Sequence, residues 1–575
     1  MVVLQEETED YGGNMPLPIH PLLIDHVVKK ILEYAVSSHN VNLLSCRSVC
    51  KIWNQMATSL YKSQQQVEVG NYSTSVPRFR RLIKLRKSCP NNFSKKNSKT
   101  FAPSWPFPFV RFRLCQEVFQ PIYASVITDF FQTFQDTLEV LDIWLDLRSS
   151  LVEVPIHSKS KLSSFANLKT LVYDDRRVIL HGSEDNRGSL LKTLVEHAPN
   201  IRNLSIRFQR DFRGSLECAS ETVLNRIRNI FSRVEIQRSL KFLKLDMHIN
   251  DPLLNSLKCC NLRVETLELA LRGSSFTFPV FQNFMESLQM NLMKLKICYI
   301  ERDSSCLLVF PAMTALRELE IEGTDAFAKH SVAFGDLTFQ QNFPQLQSLR
   351  ISIWASVHLR WAQFFQNKQP IWTIKELKLP GELCDKTMMA DAARMFPNLK
   401  KLQISVYSLT LDSLQTIFEG MPQLEELTVT KFPSLWDRNE TNIDHILTGI
   451  SISDCDKLVE DNVVLENISN DKLMILKTSA GLTDLKKLKK LSMPDLQYQA
   501  SYTDITGYLA FRRMPNLKYL NVGRSYLGNS CLMQLTQKFP EMEEQRKMLP
   551  MYLKEPEDDD DGSYLDLPGD TCVYL

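Results

Sequence analysis

Glycine is scarce in this chain, 18 of 575 residues, which counts against a collagen-like or loop-rich architecture. No apolar run approaches the roughly 18–20 residues that a helical membrane span needs. The first fifteen residues, "MVVLQEETEDYGGNM", carry acids where a secretory leader needs bases, and they lack a long apolar stretch. Charge of one sign is missing too: 68 Lys and Arg stand against 66 Asp and Glu, a net of +2. No global field draws the chain to nucleic acid or anionic lipid. There are 13 cysteines, scattered and odd in number, with no C-x-x-C pair and no zinc-spaced quartet of Cys and His. Reduced thiols of the cytoplasm or nucleus are the expectation, with no metal and no cofactor. The nucleotide-binding and hydrolase signatures G-x-G-x-x-G, P-loop, G-x-S-x-G and H-E-x-x-H are all absent, and the ten histidines are dispersed. A non-enzymatic chain is expected.

Hydrophobic residues make up 44% and charged residues 23%, the balance of a folded protein. Self-comparison finds the string L-x-x-L-x-[LIV] again and again. It reads "LEVLDI" from Leu138, "LKTLVY" from Leu168, "IRNLSI" from Ile201, "LKFLKL" from Leu240, "VETLEL" from Val264 and "LMKLKI" from Leu292. It continues with "LRELEI" from Leu316, "LQSLRI" from Leu346, "IKELKL" from Ile374, "LKKLQI" from Leu399 and "LEELTV" from Leu424. "LTGISI" from Leu447, "LKKLSM" from Leu488 and "LKYLNV" from Leu517 complete fourteen matches, 23 to 41 residues apart. The alternation is that of a strand with one face in and one face out.

Helical stretches such as "SVITDFFQTFQD", "VLNRIRNIFSRV", "MADAARMFPN" and "DSLQTIFEGMPQ" precede many of these strings. Pro199, Pro344, Pro397, Pro422 and Pro515 fall just before the strand motif, where proline ends a helix and favours extended backbone. Each unit therefore reads helix, stop, strand, and buries its leucines only by stacking on its neighbours. The pattern resembles the leucine-rich-repeat family from about 138 to 545, with a possible start near "FPFVRFRL" at 107. The fold class it implies is an α/β solenoid, with a parallel sheet on the concave face and helices on the convex face. A TIM barrel fits less well, because fourteen units exceed a closed eight. The gap between Leu447 and Leu488 is expected to hold a divergent repeat built from "NVVLENI" and "KLMILK". The family's asparagine ladder after the strand is mostly missing; Asp174, Asn250 and Asp454 stand isolated.

Ahead of the repeats, residues 16–62 carry "LIDHVVKKILEYA" and "NLLSCRSVCKIWNQMA". About 45 residues is little for an independent core, so a partner or the solenoid is expected to cover them. Cys46 and Cys50 sit at helical spacing among Leu44, Val49 and Trp53, where a thiol acts as a small buried hydrophobe. The segment resembles the F-box, an N-terminal all-α module, most clearly in "VCKIW" from Val49 to Trp53. Ile24 stands where that motif has proline, and His26 where it often has glutamate.

F-box proteins with leucine-rich repeats are substrate-receptor subunits of cullin–RING ubiquitin ligases. The resemblance implies that Leu23, Ile24, Val27, Val28, Ile31, Leu32, Leu43, Leu44, Val49, Cys50 and Trp53 contact the ligase adaptor, and through it a cullin. The repeats would hold a target protein. The other reading is a repeat scaffold or inhibitor whose N-terminal helices only cap the solenoid.

In L-x-x-L-x-L the residues between the leucines face outward. That places Trp144, Phe242, Lys294, Lys296, Glu318, Glu320, Glu322, Arg350, Lys378 and Lys401 on the outward strand face, with Glu376, Glu426 and Tyr519. These side chains read either as a cross-strand charge ladder, Lys296–Glu320–Arg350, or as a target-binding patch. Residues 63–106 are expected to form a basic linker or cap. Within them Arg78 to Lys99 carries nine bases and no acid: a solvated loop or strand edge, a nuclear localisation signal or an RNA contact. Residues 1–15 and the acidic 546–575, with Asp558 to Asp561 consecutive, are expected to be disordered.

Overall fold

The structure is a computed structural model. It describes residues 66–69, 75–88, 110–145, 164–176, 189–208, 221–271, 276–299, 307–308, 310–323, 333–334, 339–352, 369–380, 385–405, 411–430, 441–461, 463–493, 500–521 and 527–539. The chain divides into two compact units, Met1–Ile300 and Glu301–Leu575.

In the first unit eight strands run parallel: β1 (Gln66–Val69), β2 (Arg111–Cys115), β3 (Val140–Leu145), β4 (Thr170–Asp175), β5 (Asn203–Phe208), β6 (Phe242–Asp246), β7 (Thr266–Ala270) and β8 (Lys294–Tyr299). Their spatial order is their chain order, as a repeating helix–strand unit requires. The second unit continues the pattern with β9 (Glu318–Gly323), β10 (Ser348–Ser352), β11 (Glu376–Pro380), β12 (Lys401–Ser405), β13 (Glu426–Thr430), β14 (Lys490–Ser492) and β15 (Tyr519–Asn521). Both units are thus open parallel sheets with helices between the strands, the architecture of a leucine-rich-repeat solenoid.

The motif leucines align in register. Leu141, Leu171, Leu204, Leu243, Leu267 and Leu295 are direct neighbours across the first sheet, and every one is buried. Leu319, Leu349, Leu377, Leu402, Leu427, Leu491 and Leu520 do the same in the second. Each contributes about 1.5–3 kcal/mol of burial. Thirteen of the fourteen motif matches lead into one of these strands.

The intervening helices include α1 (Ser75–Ser88), α2 (Ala124–Phe134), α3 (Ser189–Glu196), α4 (Glu221–Phe231), α5 (Val234–Ser239), α6 (Asp251–Cys259) and α7 (Phe278–Leu288). Asn250 caps α6 by accepting from the Leu253 amide at 3.0 Å. Aromatic rings knit helix to sheet at the start of the first unit: Phe130 lies 5.2 Å from Phe79 and 4.9 Å from Phe112.

Asparagines recur before the strand rather than behind it. Asn167, Asn200, Asn398 and Asn516 each directly precede a motif start. They donate to the carbonyls of Asp136, Ala166, Trp372 and Lys486 in the preceding turn at 2.6–3.0 Å. These side chains satisfy backbone groups that the tight turn leaves unpaired.

Three expectations change. The sheet starts at Gln66, 41 residues before "FPFVRFRL". The basic run is not a loop over 78–88: it lies in α1, whose Val76, Phe79 and Ile83 are buried while Arg78, Arg80, Arg81, Lys84 and Lys87 are exposed. The apolar residues recur at three- to four-residue spacing, and that period overrides the charge. Finally, "LTGISI" is not a strand. Leu447 lies in a helix, Asp444–Thr448, that ends at Gly449 with φ 77°. "KLMILK" is helical as well, within Asn470–Leu476, and "NVVLENI" holds one 3-10 turn, Leu465–Asn467. β13 therefore pairs directly with β14, Glu426 opposite Lys490, and the described residues of 444–476 form a largely helical insertion. Gly449 in the left-handed region and Ser451 and Ser469 as helix N-caps impose helix boundaries that the apolar spacing concealed.

Candidate functional site

The outward strand face is built by the same alternation that buries the leucines. In the first unit one outward column runs Arg111, Val140, Thr170, Asn203, Phe242, Thr266, Lys294. A second runs Glu68, Arg113, Asp142, Val172, Ser205, Lys244, Glu268, Lys296, and a third Cys115, Trp144, Asp174, Arg207, Asp246.

Charges on this face are arranged in alternating sign. Arg113 donates to Asp142 at 2.7 Å and lies 3.8 Å from Glu68. Arg207 bridges Asp174 at 3.6 Å and Asp246 at 3.0 Å, while Lys244 meets Glu268 at 3.0 Å. Burial disfavours the Arg113 cation, but the Asp142 hydrogen bond and nearby carboxylates outweigh it, so its pKa is raised. Trp144 stands in the middle of this network, half-buried. The guanidinium carbons of Arg176 and Arg113 lie 4.9 and 5.8 Å from its ring centroid, and Arg176 is itself held by Asp174 at 2.9 Å. A cationic clamp on an indole adds about 0.5–2 kcal/mol of attraction and fixes the ring in place.

In the second unit the first outward column is Glu318, Ser348, Glu376, Lys401, Glu426, Lys490, Tyr519 and the second Glu320, Arg350, Lys378, Gln403, Thr428, Ser492, Asn521. Arg350 donates twice to Glu376, at 3.0 and 2.7 Å, and lies 3.7 Å from Glu320. Burial works against its charge and is outweighed by Glu376, so its pKa rises. Lys401 pairs with Glu426 at 2.7 Å, and that hydrogen bond lifts its pKa. Lys490 lies 5.0 Å above the Tyr519 ring. At the sheet's rim, Lys400 and Lys489 both hold Glu425, at 2.7 and 2.6 Å, and pull its pKa down to about 2.

All ten outward residues expected from the motif occupy outward strand positions. Trp144, Phe242, Lys294 and Lys296 lie in the first unit and Glu318, Glu320, Glu322, Arg350, Lys378 and Lys401 in the second. Of the expected charge ladder, Glu320 and Arg350 pair across β9 and β10, and Lys296 sits opposite Glu268 within its own unit. The adaptor-binding set, Leu23, Ile24, Val27, Val28, Ile31, Leu32, Leu43, Leu44, Val49, Cys50 and Trp53, lies outside the described residues.

Sequence reasoning missed the cluster around Trp144. Arg113, Asp142, Asp174 and Arg207 all occupy the motif's outward positions, so alternation alone could have gathered them. Arg176 lies just past the strand and carries no such signal.

This face offers charge, hydrogen bonding and a fixed aromatic plane. The buried thiols are poor nucleophiles: Cys115, Cys455 and Cys531 are each pushed up to about 12, first by burial. Among the described residues no group of three or more His, Cys, Asp or Glu could hold a metal ion, and no helix is long and apolar enough to cross a membrane.

No protein-family model matches this chain, and no curated protein matches it in sequence. Among solved structures, it is similar to the crystal structure of a TLR13–ssRNA13 complex, with 13% identity and a TM-score of 0.36. That match covers 73% of this chain, and the chain spans about half, 54%, of the solved one.

Proposed function

We propose that this chain is a non-enzymatic protein-binding scaffold, and more specifically the substrate-recognition subunit of an SCF-type E3 ubiquitin ligase. In this reading residues 16–62 bind the ligase adaptor through Leu32, Val49, Trp53 and their apolar neighbours, and the adaptor brings a cullin. The outward strand face holds a target protein, with Trp144 and Phe242 as aromatic anchors and the Lys, Glu and Arg columns as the polar surround. The chain makes and breaks no bond. It raises the local concentration of target lysines beside a charged ubiquitin-conjugating enzyme. The workplace is the cytoplasm, the nucleus or both.

The observation that carries the reading is the outward face itself. In each unit charged and aromatic side chains stand in fixed register on parallel strands, backed by a row of buried leucines. A face of that kind presents a preorganised pattern to a partner and loses little side-chain entropy on binding. The "VCKIW" segment, which ends thirteen residues before the first strand at Gln66, supplies the link to the ligase adaptor.

A second reading is favoured by the position of β1. β1 is the edge strand of its sheet, and an edge needs covering; residues 16–62 would then serve as a cap for a scaffold or inhibitor. Pull-down of purified ligase adaptor by the full-length chain separates the two. Adaptor capture that is abolished by Leu32→Asp, Val49→Asp and Trp53→Asp supports the receptor reading. Absence of capture by the unaltered chain, or capture untouched by these substitutions, overturns it.

A further inference from the structure

The helical insertion between β13 and β14 is not needed to continue the sheet, because those strands pair directly. It nevertheless concentrates the exposed aliphatic surface of the second unit. Ile452, Val459, Val464, Met474 and Ile475 are 59, 61, 59, 69 and 82% exposed. Single exposed apolar residues are ordinary, but five within 24 residues of sequence mark an interaction surface.

Local geometry gathers them. In the helix Ile452–Glu460 the pair Ile452 and Val459 is seven residues apart, so both lie on one face about 10 Å apart along the axis. Cys455 and Leu458, on the adjoining face of the helix, are buried. An antiparallel bridge joins Ile450 to Lys477, and the Gly449 carbonyl accepts from the Thr478 and Ser479 amides at 2.9 and 3.0 Å. The start of this helix is thereby tied to the end of the next, Asn470–Leu476. Ile452 and Ile475 each stand two residues from that bridge. Between the helices, the 3-10 turn Leu465–Asn467 is pinned by the Tyr508 hydroxyl, which donates to Glu466 at 2.9 Å, and by Gln534. The surface is therefore held by the packed C-terminal helices.

Its rim is acidic. Asp456, Glu460, Asp461, Glu466 and Asp471 are exposed among these aliphatics in the sequence, against Lys457 and Lys472; Lys457 is 3.6 Å from Asp454, Arg512 acts on Glu466 and Arg513 donates to Asn470 at 2.6 Å, so the acids remain in excess. We propose that this insertion is a docking surface for a partner's basic amphipathic helix, whose aliphatic stripe covers Ile452, Val459, Met474 and Ile475 and whose Lys or Arg flanks meet the acidic rim. The surface is separate from the outward strand face and does not depend on the ligase reading.

The test uses the full-length chain and, as probe, a labelled synthetic amphipathic helix of leucine and lysine, with its leucine–glutamate counterpart as control. Fluorescence anisotropy should show binding of the lysine helix only, weakened by salt. The double variant Ile452→Ser, Ile475→Ser should bind it about tenfold more weakly at an unchanged melting temperature, since both positions face solvent. Equal binding by the variant, or equal binding of the two probes, overturns the proposal. So does light scattering that shows a dimer dissolved by the variant. A photo-crosslinker at Ile475 that captures the chain's own basic 546–554, "RKMLPMYLK", overturns it as well.

Discussion

Strands β12 and β13 and the helical insertion that follows them are neighbours in sequence and opposite in design. In the strands every second side chain is a buried aliphatic, and the outward charges are answered by a partner, as Lys401 is by Glu426. In the insertion aliphatics lie exposed while a carboxylate is buried. Asp444, with no solvent exposure, accepts from the Thr503 amide and hydroxyl at 2.9 and 2.7 Å and from the Thr506 amide and hydroxyl at 3.3 and 2.6 Å. It completes the start of the helix Asp504–Leu509 from a position 59 residues earlier in the chain. The repeat is held by area and the insertion by specific polar contacts, so the two should fail differently.

The largest effect is expected in the core. Leu427→Ala removes a buried side chain shared by two neighbouring strands and should cost about 2–5 kcal/mol, read as a lower denaturation midpoint. Asp444→Ala should come close to it, on the order of 2–4 kcal/mol, because four donors lose their acceptor in a dry site. If it were nearly silent, the insertion would not rest on this carboxylate. Gly449→Ala should cost roughly 1–3 kcal/mol: the residue has φ 77°, and an added Cβ would come within 2.3 Å of the Ser479 carbonyl oxygen. Arg350→Ala and Glu320→Ala should each cost under about 1 kcal/mol, since these pairs are partly open to solvent. Loss of target capture with an unchanged melting temperature would mark them as binding residues; intact capture with a lower melting temperature would mark a structural ladder.

The smallest effect is electrostatic. Glu425, lowered from 4.5 to about 2 by Lys400 and Lys489, adds stability that is present above its unfolded pKa and is lost as pH falls from about 4.5 towards 2. Carboxyl chemical shifts should place its midpoint near the low value, and Lys400→Ala with Lys489→Ala should return it towards 4.5.

The same contrast explains what was legible in the residues. L-x-x-L-x-L fixes which side of a strand each residue takes, so both the register and the outward face follow from counting. The insertion obeys no such period. Its leucines sit at spacings that suit a strand or a short helix equally, and Gly449, Ser451 and Ser469 decide between them. Arg176 on Trp144 and Asp444 on Thr503 are contacts between parts of the chain that no local pattern joins. In α1 six cations conceal the apolar period of Val76, Phe79 and Ile83.

The most direct measurement compares the proteins that co-purify with the full-length chain and with two variants, Trp53→Asp and the combined Trp144→Ala, Glu320→Ala, Arg350→Ala. The account predicts two separable sets: Trp53→Asp loses the ligase adaptor and cullin but keeps the target, and the outward-face variant does the reverse. Identical sets for both variants, with each still folded, would contradict it.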